Sequence, residues 1–142
     1  MTETFSFNAE SLDKVKFELS KYPEDRKQSS VMSLLDIAQR QNGGWLSKSA
    51  IEHVASHLEM PYIKVYEIVT FYSMYYTTPV GKYFVQVCTT TPCWLKGSDE
   101  VVKACKETIS EKQNELSNNG LFSWMEVECL GACVNAPLVQ IN

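Results

Sequence analysis

The spacing of apolar residues changes once along the chain, near Pro79 and Gly81, and this change limits the possible folds more than any other feature. From residue 11 to about residue 76, apolar residues recur at the three- and four-residue intervals that are typical of amphipathic helices. After Gly81 they alternate with other residues, which indicates a strand. The sequence therefore predicts a helical segment followed by an α/β segment.

Four helices are predicted in the first segment. The weakest covers Leu12 to Ser20. The other three each carry an apolar stripe, made of Val31, Leu34, Leu35 and Ala38, of Ile51, Val54, Ala55 and Leu58, and of Val65, Ile68, Val69 and Tyr72. Residues that favour helix ends flank these three helices. Ser29 or Ser30 can cap the first, and Gly43 with Gly44 can end it. Ser47 or Ser49 can cap the second, and Pro61 suits the first turn of the third. We expect residues 1–80 to form an N-terminal helical bundle.

The second segment, residues 81–142, predicts a strand, a long helix and two further strands. The strands are expected at Tyr83 to Cys88, Phe122 to Glu128 and Leu138 to Ile141, and the helix at residues 97–114, with Ser98 as its cap. Consecutive strand, helix and strand form a βαβ unit, whose two strands run parallel. The predicted fold class is α/β, or α+β when the bundle is included.

Charge and composition exclude several classes of function. The chain has 13 Lys and Arg against 17 Asp and Glu, a net charge of −4, whereas a nucleic-acid binder needs a basic surface for phosphates. The longest uncharged apolar-leaning stretch, residues 68–80, is shorter than the roughly 20 residues that cross a bilayer, so no membrane insertion is expected. The first twelve residues lack the basic head and apolar run of a signal peptide, which predicts a cytoplasmic protein.

Four of the five cysteines form two short pairs. Cys88 and Cys93 are separated by four residues, and Cys129 and Cys133 by three. Cys88 ends the first predicted strand, and Cys129 follows the second. Because the carboxyl ends of parallel strands lie at the same edge of a sheet, the two pairs are expected to converge there and form one site.

A 2Fe-2S cluster and a single zinc are the main candidates for this site. Thiol chemistry or a chance spacing stays open beside them, although neither pair has the C-x-x-C spacing of thiol exchange. A 2Fe-2S cluster takes two thiolates on each iron and suits two separate pairs, whereas one zinc bound by all four thiolates would make the chain an interaction module. Pro92, Gly131 and Ala132 favour the cluster, because a fixed backbone and small side chains let N–H groups approach the sulfurs. Residues 89–91, all threonine, either add hydroxyl donors or are ordinary polar loop residues.

Other conspicuous residues have simpler interpretations. Cys105 falls on the apolar face of the long helix and is expected to be buried there, not to bind metal. His53 and His57 lie opposite an apolar stripe, which predicts a solvated face. Trp94 either shields the site or faces a partner. A group of aromatic residues is expected to pack the bundle onto the α/β unit or to form a docking patch: Phe71, Tyr72, Tyr75 and Tyr76.

Two motifs resemble a known family. Residues 87–100, VCTTTPCWLKGSDE, and residues 126–142, EVECLGACVNAPLVQIN, look like the small 2Fe-2S subunit of NADH:quinone oxidoreductase, which is the E subunit of bacterial complex I and flavoprotein 2 of its mitochondrial counterpart. Two bundle segments, GWLSK at residues 44–48 and PYIKVYEIVTFYSM at residues 61–74, resemble the same family. The resemblance implies a thioredoxin-like ferredoxin domain at residues 81–142 after the bundle, with Cys88, Cys93, Cys129 and Cys133 as ligands of one 2Fe-2S cluster.

The resemblance also implies a role in the respiratory chain. Members of this family exchange one electron with FMN on a larger flavoprotein subunit, which also holds the NADH site, so no NADH site is expected on this chain. The alternative that the resemblance leaves open is the same subunit type in a soluble NAD-linked formate dehydrogenase or hydrogenase. A complex I subunit would be peripheral at the inner face of the bacterial plasma membrane. Family members continue beyond the last strand, so we expect a C-terminally shortened chain with an open sheet edge.

Overall fold

The helical stripes of the first segment fold into four α-helices in the computed structural model, which describes residues 4–142. Residues 1–3, where the predicted bundle begins, lie outside the described residues. The helices are α1 (Ala9–Ser20), α2 (Val31–Gln41), α3 (Lys48–His57) and α4 (Tyr62–Phe71), and a 3₁₀ helix at Glu24–Ser30 precedes α2. The chain divides into two compact units between Pro79 and Val80. Each is described by itself below.

The predicted stripes form the core of the first unit. All four apolar stripe residues of α2 are buried, as are Ile51, Val54 and Ala55 of α3 and Leu58 directly after it. Val65 and Val69 of α4 are buried as well. Ile68 is only partly buried, and Tyr72 is 37% exposed because the chain leaves α4 at Phe71. Tyr75 is buried instead, and its hydroxyl donates a hydrogen bond to the backbone oxygen of Met32 at 3.0 Å.

The helix caps were predicted only in part. Ser47 caps α3, accepting a hydrogen bond from the backbone N–H of Ala50 at 3.2 Å. Ser30 precedes α2, but its hydroxyl donates to the backbone oxygen of Glu18 at 3.3 Å, because the chain enters α2 directly from the 3₁₀ helix. Pro61 stands one residue before α4, not within its first turn.

A three-stranded mixed sheet forms the second unit. Its strands are β1 (Tyr83–Cys88), β2 (Phe122–Val127) and β3 (Val139–Ile141), in the order β2-β1-β3. β1 and β2 are parallel, as predicted, and β3 runs antiparallel to β1 at an edge, with all three of its residues exposed. Between β1 and β2 lie α5 (Thr91–Leu95) and α6 (Ser98–Thr108). The mixed α/β class is therefore confirmed.

The prediction that the long helix reaches Asn114 is wrong, because α6 ends at Thr108. The residues after it run along β2 instead, with the N–H of Asn114 bonded to the Trp124 oxygen at 2.9 Å and the N–H of Ser117 to the Phe122 oxygen at 2.8 Å. Since β2 is an edge strand, this loop satisfies backbone groups that would otherwise be unpaired. The cap at Ser98 is also wrong, since left-handed Gly97 occupies that position.

One face of the sheet packs on α6. Val87, Trp124, Val102 and Cys105 form this buried cluster, and the indole N–H of Trp124 donates to the backbone oxygen of Ser110 at 2.9 Å. Within residues 4–142, no helix has the length and apolar character needed to cross a membrane.

Candidate metal centre

The first cysteine pair lies in regular structure. Cys88 is the last residue of β1, and Cys93 lies within α5, a five-residue helix that is too short to be detected from apolar spacing. Pro92 stands in the first turn of α5, where a helix tolerates the missing backbone donor. Both thiols are buried, with Cys88 1% and Cys93 0% exposed.

The second pair lies in the loop after β2, and both of its cysteines are exposed. Cys133 begins a short 3₁₀ helix, Cys133–Asn135. Between the two cysteines, Gly131 has a left-handed φ of 79°, and a Cβ added there would meet open space. Glycine adopts this left-handed backbone conformation without strain.

Hydrogen bonds bring the two loops together at one edge of the sheet. Parallel pairing sets Cys88 opposite Val127, and the N–H of Thr89 donates to the Val127 oxygen at 3.2 Å. The N–H of Cys88 donates to the Leu138 oxygen at 3.2 Å, and the backbone N–H of Leu130 reaches the Cys88 sulfur. Both predicted pairs therefore meet, as the topology of a parallel sheet requires.

Neighbouring groups and burial shift the pKa values of Cys88, Cys93 and Cys133 in different directions. The hydroxyl of Thr90, 3.2 Å from the Cys88 sulfur, is the main cause that lowers the pKa of Cys88 to about 7. Burial, followed by the neighbouring Cys88, raises the pKa of Cys93. The charge of Cys129, followed by burial, raises the pKa of Cys133. Four thiolates in one site repel each other, and a bound cationic metal group removes that repulsion.

The cysteines interact chiefly within their pairs. Cys88 forms a side-chain hydrogen bond with Cys93, and Cys129 forms one with Cys133. Within the described range, residues 4–142, no three His, Cys, Asp or Glu side chains lie close enough together to hold a single metal ion. The paired thiols and the N–H donor beside Cys88 fit a binuclear cluster, since each of its irons takes two thiolates.

Cys105 takes no part in this site. It is 7% exposed in the cluster between α6 and the sheet, and burial raises the pKa of its thiol. The sequence prediction of a core cysteine agrees with this position.

The expectation of a solvated face at His53 and His57 is wrong. Both rings are half-buried, with their centroids 5.8 Å apart, and the N-terminal segment covers them. The Phe7 ring lies edge-on to both, and its backbone N–H donates to His53 Nε2 at 3.4 Å. Helical spacing places the two histidines on the side of α3 opposite its apolar stripe, which predicts exposure to solvent. The N-terminal segment that contains Phe7 covers that side.

The aromatic group at the end of α4 does not act as one patch. Phe71 is 79% exposed and Tyr72 partly so, whereas Tyr75 belongs to the core of the first unit and Tyr76 is half-buried. Trp94 is 56% exposed, and its indole N–H donates to the Asp99 carboxylate at 3.2 Å. This arrangement leaves the Trp94 ring accessible beside Cys93.

Several known proteins are similar to this chain over most of its length. The chain is 55% identical to the E subunit of NADH-quinone oxidoreductase from Rickettsia typhi over 139 residues, which cover 98% of this chain and 82% of that protein. It is 56% identical to the protein of the same name from Rickettsia bellii, covering 97% and 83% of the two chains. It is 49% identical to the mitochondrial NADH dehydrogenase (ubiquinone) flavoprotein 2 of Dictyostelium discoideum, covering 97% of this chain and 56% of that protein. The family model for thioredoxin-like 2Fe-2S ferredoxins matches residues 15–142, and the chain belongs to this family.

Proposed function

We propose that this chain is the electron-carrier subunit of a respiratory NADH:quinone oxidoreductase, and that its two cysteine pairs hold one 2Fe-2S cluster. The proposed ligands are Cys88, Cys93, Cys129 and Cys133. The observation that carries the proposal is the meeting of these pairs at one sheet edge, after two parallel strands. The names of the bacterial and Dictyostelium relatives support the NADH-linked role.

The residues around the site have distinct tasks in this function. A bound 2Fe-2S cluster supplies reversible one-electron transfer. Cys88 and Cys93 hold their half of the site away from water, since both are buried. The backbone N–H of Leu130 and the hydroxyl of Thr90 stabilise negative charge on the Cys88 sulfur. Cys129 and Cys133 lie at the surface, where a partner protein can approach and cover them.

We infer that the partner is the flavoprotein subunit of the same complex, which would bind FMN and NADH. The bacterial relatives are named as subunits, and this chain contains no glycine-rich nucleotide motif. The net charge of −4 favours a protein partner over nucleic acid. Through that partner the chain would be held at the cytoplasmic face of the bacterial plasma membrane. Membrane and soluble fractions, compared with and without the flavoprotein gene, test this location.

Metal analysis of the anaerobically purified chain tests the cluster. We expect about two irons and two acid-labile sulfides per chain, and a paramagnetic signal after one-electron reduction. One zinc per chain without sulfide would overturn the proposal and assign the site to an interaction module.

Cysteine variants test the ligands. Because Cys129 and Cys133 are exposed, their replacement by alanine disturbs little packing, so loss of iron from Cys129→Ala or Cys133→Ala reports loss of a ligand. Cys105→Ala is the matched control, since it removes a thiol outside the site and should retain iron. Full iron content in either loop variant would remove that cysteine from the ligand set.

Co-expression with the flavoprotein subunit tests the partner. We expect the two chains to purify as one complex in which NADH reduces the FMN and the cluster of this chain becomes reducible through it. Separate elution of the two chains would overturn the partner assignment while leaving the cluster assignment intact.

A further inference from the structure

We propose that Thr90 raises the midpoint reduction potential of the bound cluster, by donating a hydrogen bond from its hydroxyl to the sulfur of Cys88. This inference rests on the proposed function, because it requires Cys88 to be a cluster ligand. It assigns a tuning role to one of three consecutive threonines that the sequence does not distinguish.

The position of Thr90 is unusual for a residue of its type. It is the N-cap of α5, where a threonine hydroxyl normally accepts a hydrogen bond from an N–H in the first turn. In α5 the cap makes no such side-chain bond, and Pro92 in the first turn has no N–H to offer. The hydroxyl lies instead 3.2 Å from the Cys88 sulfur, within hydrogen-bonding distance. The local structure therefore directs this hydroxyl away from the helix and towards the site.

The direction of the hydrogen bond follows from the chemistry of the sulfur. A metal-bound thiolate carries no hydrogen, so the Thr90 hydroxyl must be the donor. A hydroxyl that donates to the sulfur from 3.2 Å favours negative charge on that sulfur. One-electron reduction adds negative charge to the cluster and its ligands, and a donor to sulfur stabilises the reduced form.

Thr90 is also a donor that a substitution can remove. Leu130 donates to the same sulfur through its backbone N–H, which a side-chain change leaves in place. Thr90→Val keeps the branched shape of threonine and removes the hydroxyl. Thr90→Ser keeps the hydroxyl and removes the methyl group. Thr91→Val makes the same chemical change one residue away, at an exposed position.

A redox titration of the full chain, purified anaerobically with its cluster and followed by the paramagnetic signal of the reduced form, tests the proposal. In Thr90→Val we expect the ratio of reduced to oxidised cluster, at a fixed applied potential, to fall about tenfold, which for one electron corresponds to about 59 mV. Thr90→Ser and Thr91→Val should remain close to the wild-type chain.

Three results would overturn the proposal. One is a Thr90→Val potential equal to that of the wild-type chain. Another is an equal shift in Thr91→Val, which would assign the effect to the loop in general. The third is a loss of the cluster from both Thr90→Val and Thr90→Ala while Thr90→Ser keeps it at the wild-type potential, which would make the hydroxyl a requirement for cluster binding and not for tuning. If the wild-type chain itself holds no iron and sulfide, the proposed function fails first, and the two failures are thereby distinguished.

Discussion

Glycine is required at position 81, directly before β1, if the backbone there lies too close to the backbone of residues 121–122 to admit a Cβ. The substitution Gly81→Ala tests this explanation. A Cβ at this position would lie 2.5 Å from the carbonyl carbon of Phe122, 2.7 Å from its Cα and 2.8 Å from the Leu121 oxygen. All three atoms belong to the backbone, so no rotation of a side chain relieves the overlap. The two segments have to move apart.

The size of the effect is set by the hydrogen bonds that cross this contact. Ordinary contact begins at 3.4 Å, so the segments must separate by about 0.9 Å. The N–H of Gly81 donates to the Ser123 hydroxyl at 2.9 Å, and the N–H of Tyr83 to the Leu121 oxygen at 2.9 Å. That separation stretches both bonds beyond hydrogen-bonding distance. At about 1–2 kcal/mol for each bond, Gly81→Ala should lower the free energy of opening of the β1–β2 pair by about 2–4 kcal/mol.

Native-state hydrogen exchange of the cluster-loaded chain, read by mass spectrometry on peptides that cover β1 and β2, measures this change. An effect of about 2–4 kcal/mol corresponds to exchange that is roughly 30- to 900-fold faster. Gly97→Ala is the control, because Gly97 has a left-handed φ of 94° and open space around it, so alanine adds only the backbone strain of about 1–2 kcal/mol. The steric explanation is refuted if Gly81→Ala exchanges within threefold of the wild-type chain, or if Gly97→Ala has the larger effect.

Three further predictions concern the first unit. Ser47→Ala should lower the free energy of unfolding in urea by about 1 kcal/mol through loss of the α3 cap, and an unchanged midpoint would contradict this. Burial raises the pKa of Tyr75 from 10.0 to about 12, so the stabilising contribution of the neutral phenol is complete below pH 10 and is lost as the pH rises towards 12. In Tyr75→Phe the free energy of unfolding should depend less on pH in that range, and an unaltered slope would argue against this role of Tyr75. Burial, and then the charge of His57, lowers the pKa of His53, so the contribution of this ring is lost as the pH falls below about 6.5. The protection factor of the Phe7 amide against exchange, relative to the intrinsic rate at each pH, should therefore fall on acidification in the wild-type chain and not in His53→Gln.

Local patterns predicted the elements whose limits are set by their own residues. The bounds of β1 agree with the prediction, since alternation begins after Gly81 and ends at Cys88. The observed end of α6 differs from the prediction, because apolar spacing continues past Thr108 whereas the chain leaves the helix there and forms hydrogen bonds with the edge of β2. That competing partner, β2, begins 14 residues after Thr108, and helical periodicity contains no information about it. The five-residue α5 is shorter than the window in which a helical period can be recognised.

Part of the geometry of the candidate site follows from the strand topology, and part depends on local packing. The ends of two parallel strands bring the cysteine pairs to one edge, and this was predictable from the order of strand, helix and strand. The difference between a buried and an exposed pair was not, because it depends on the path of the chain after the first cysteine of each pair. After Cys88 the chain folds into α5 and carries Cys93 into the interior, whereas after Cys129 a left-handed Gly131 keeps the chain in a surface loop. Two pairs of nearly equal spacing therefore acquire different environments, and only the buried pair contains a sulfur that receives the Thr90 hydroxyl.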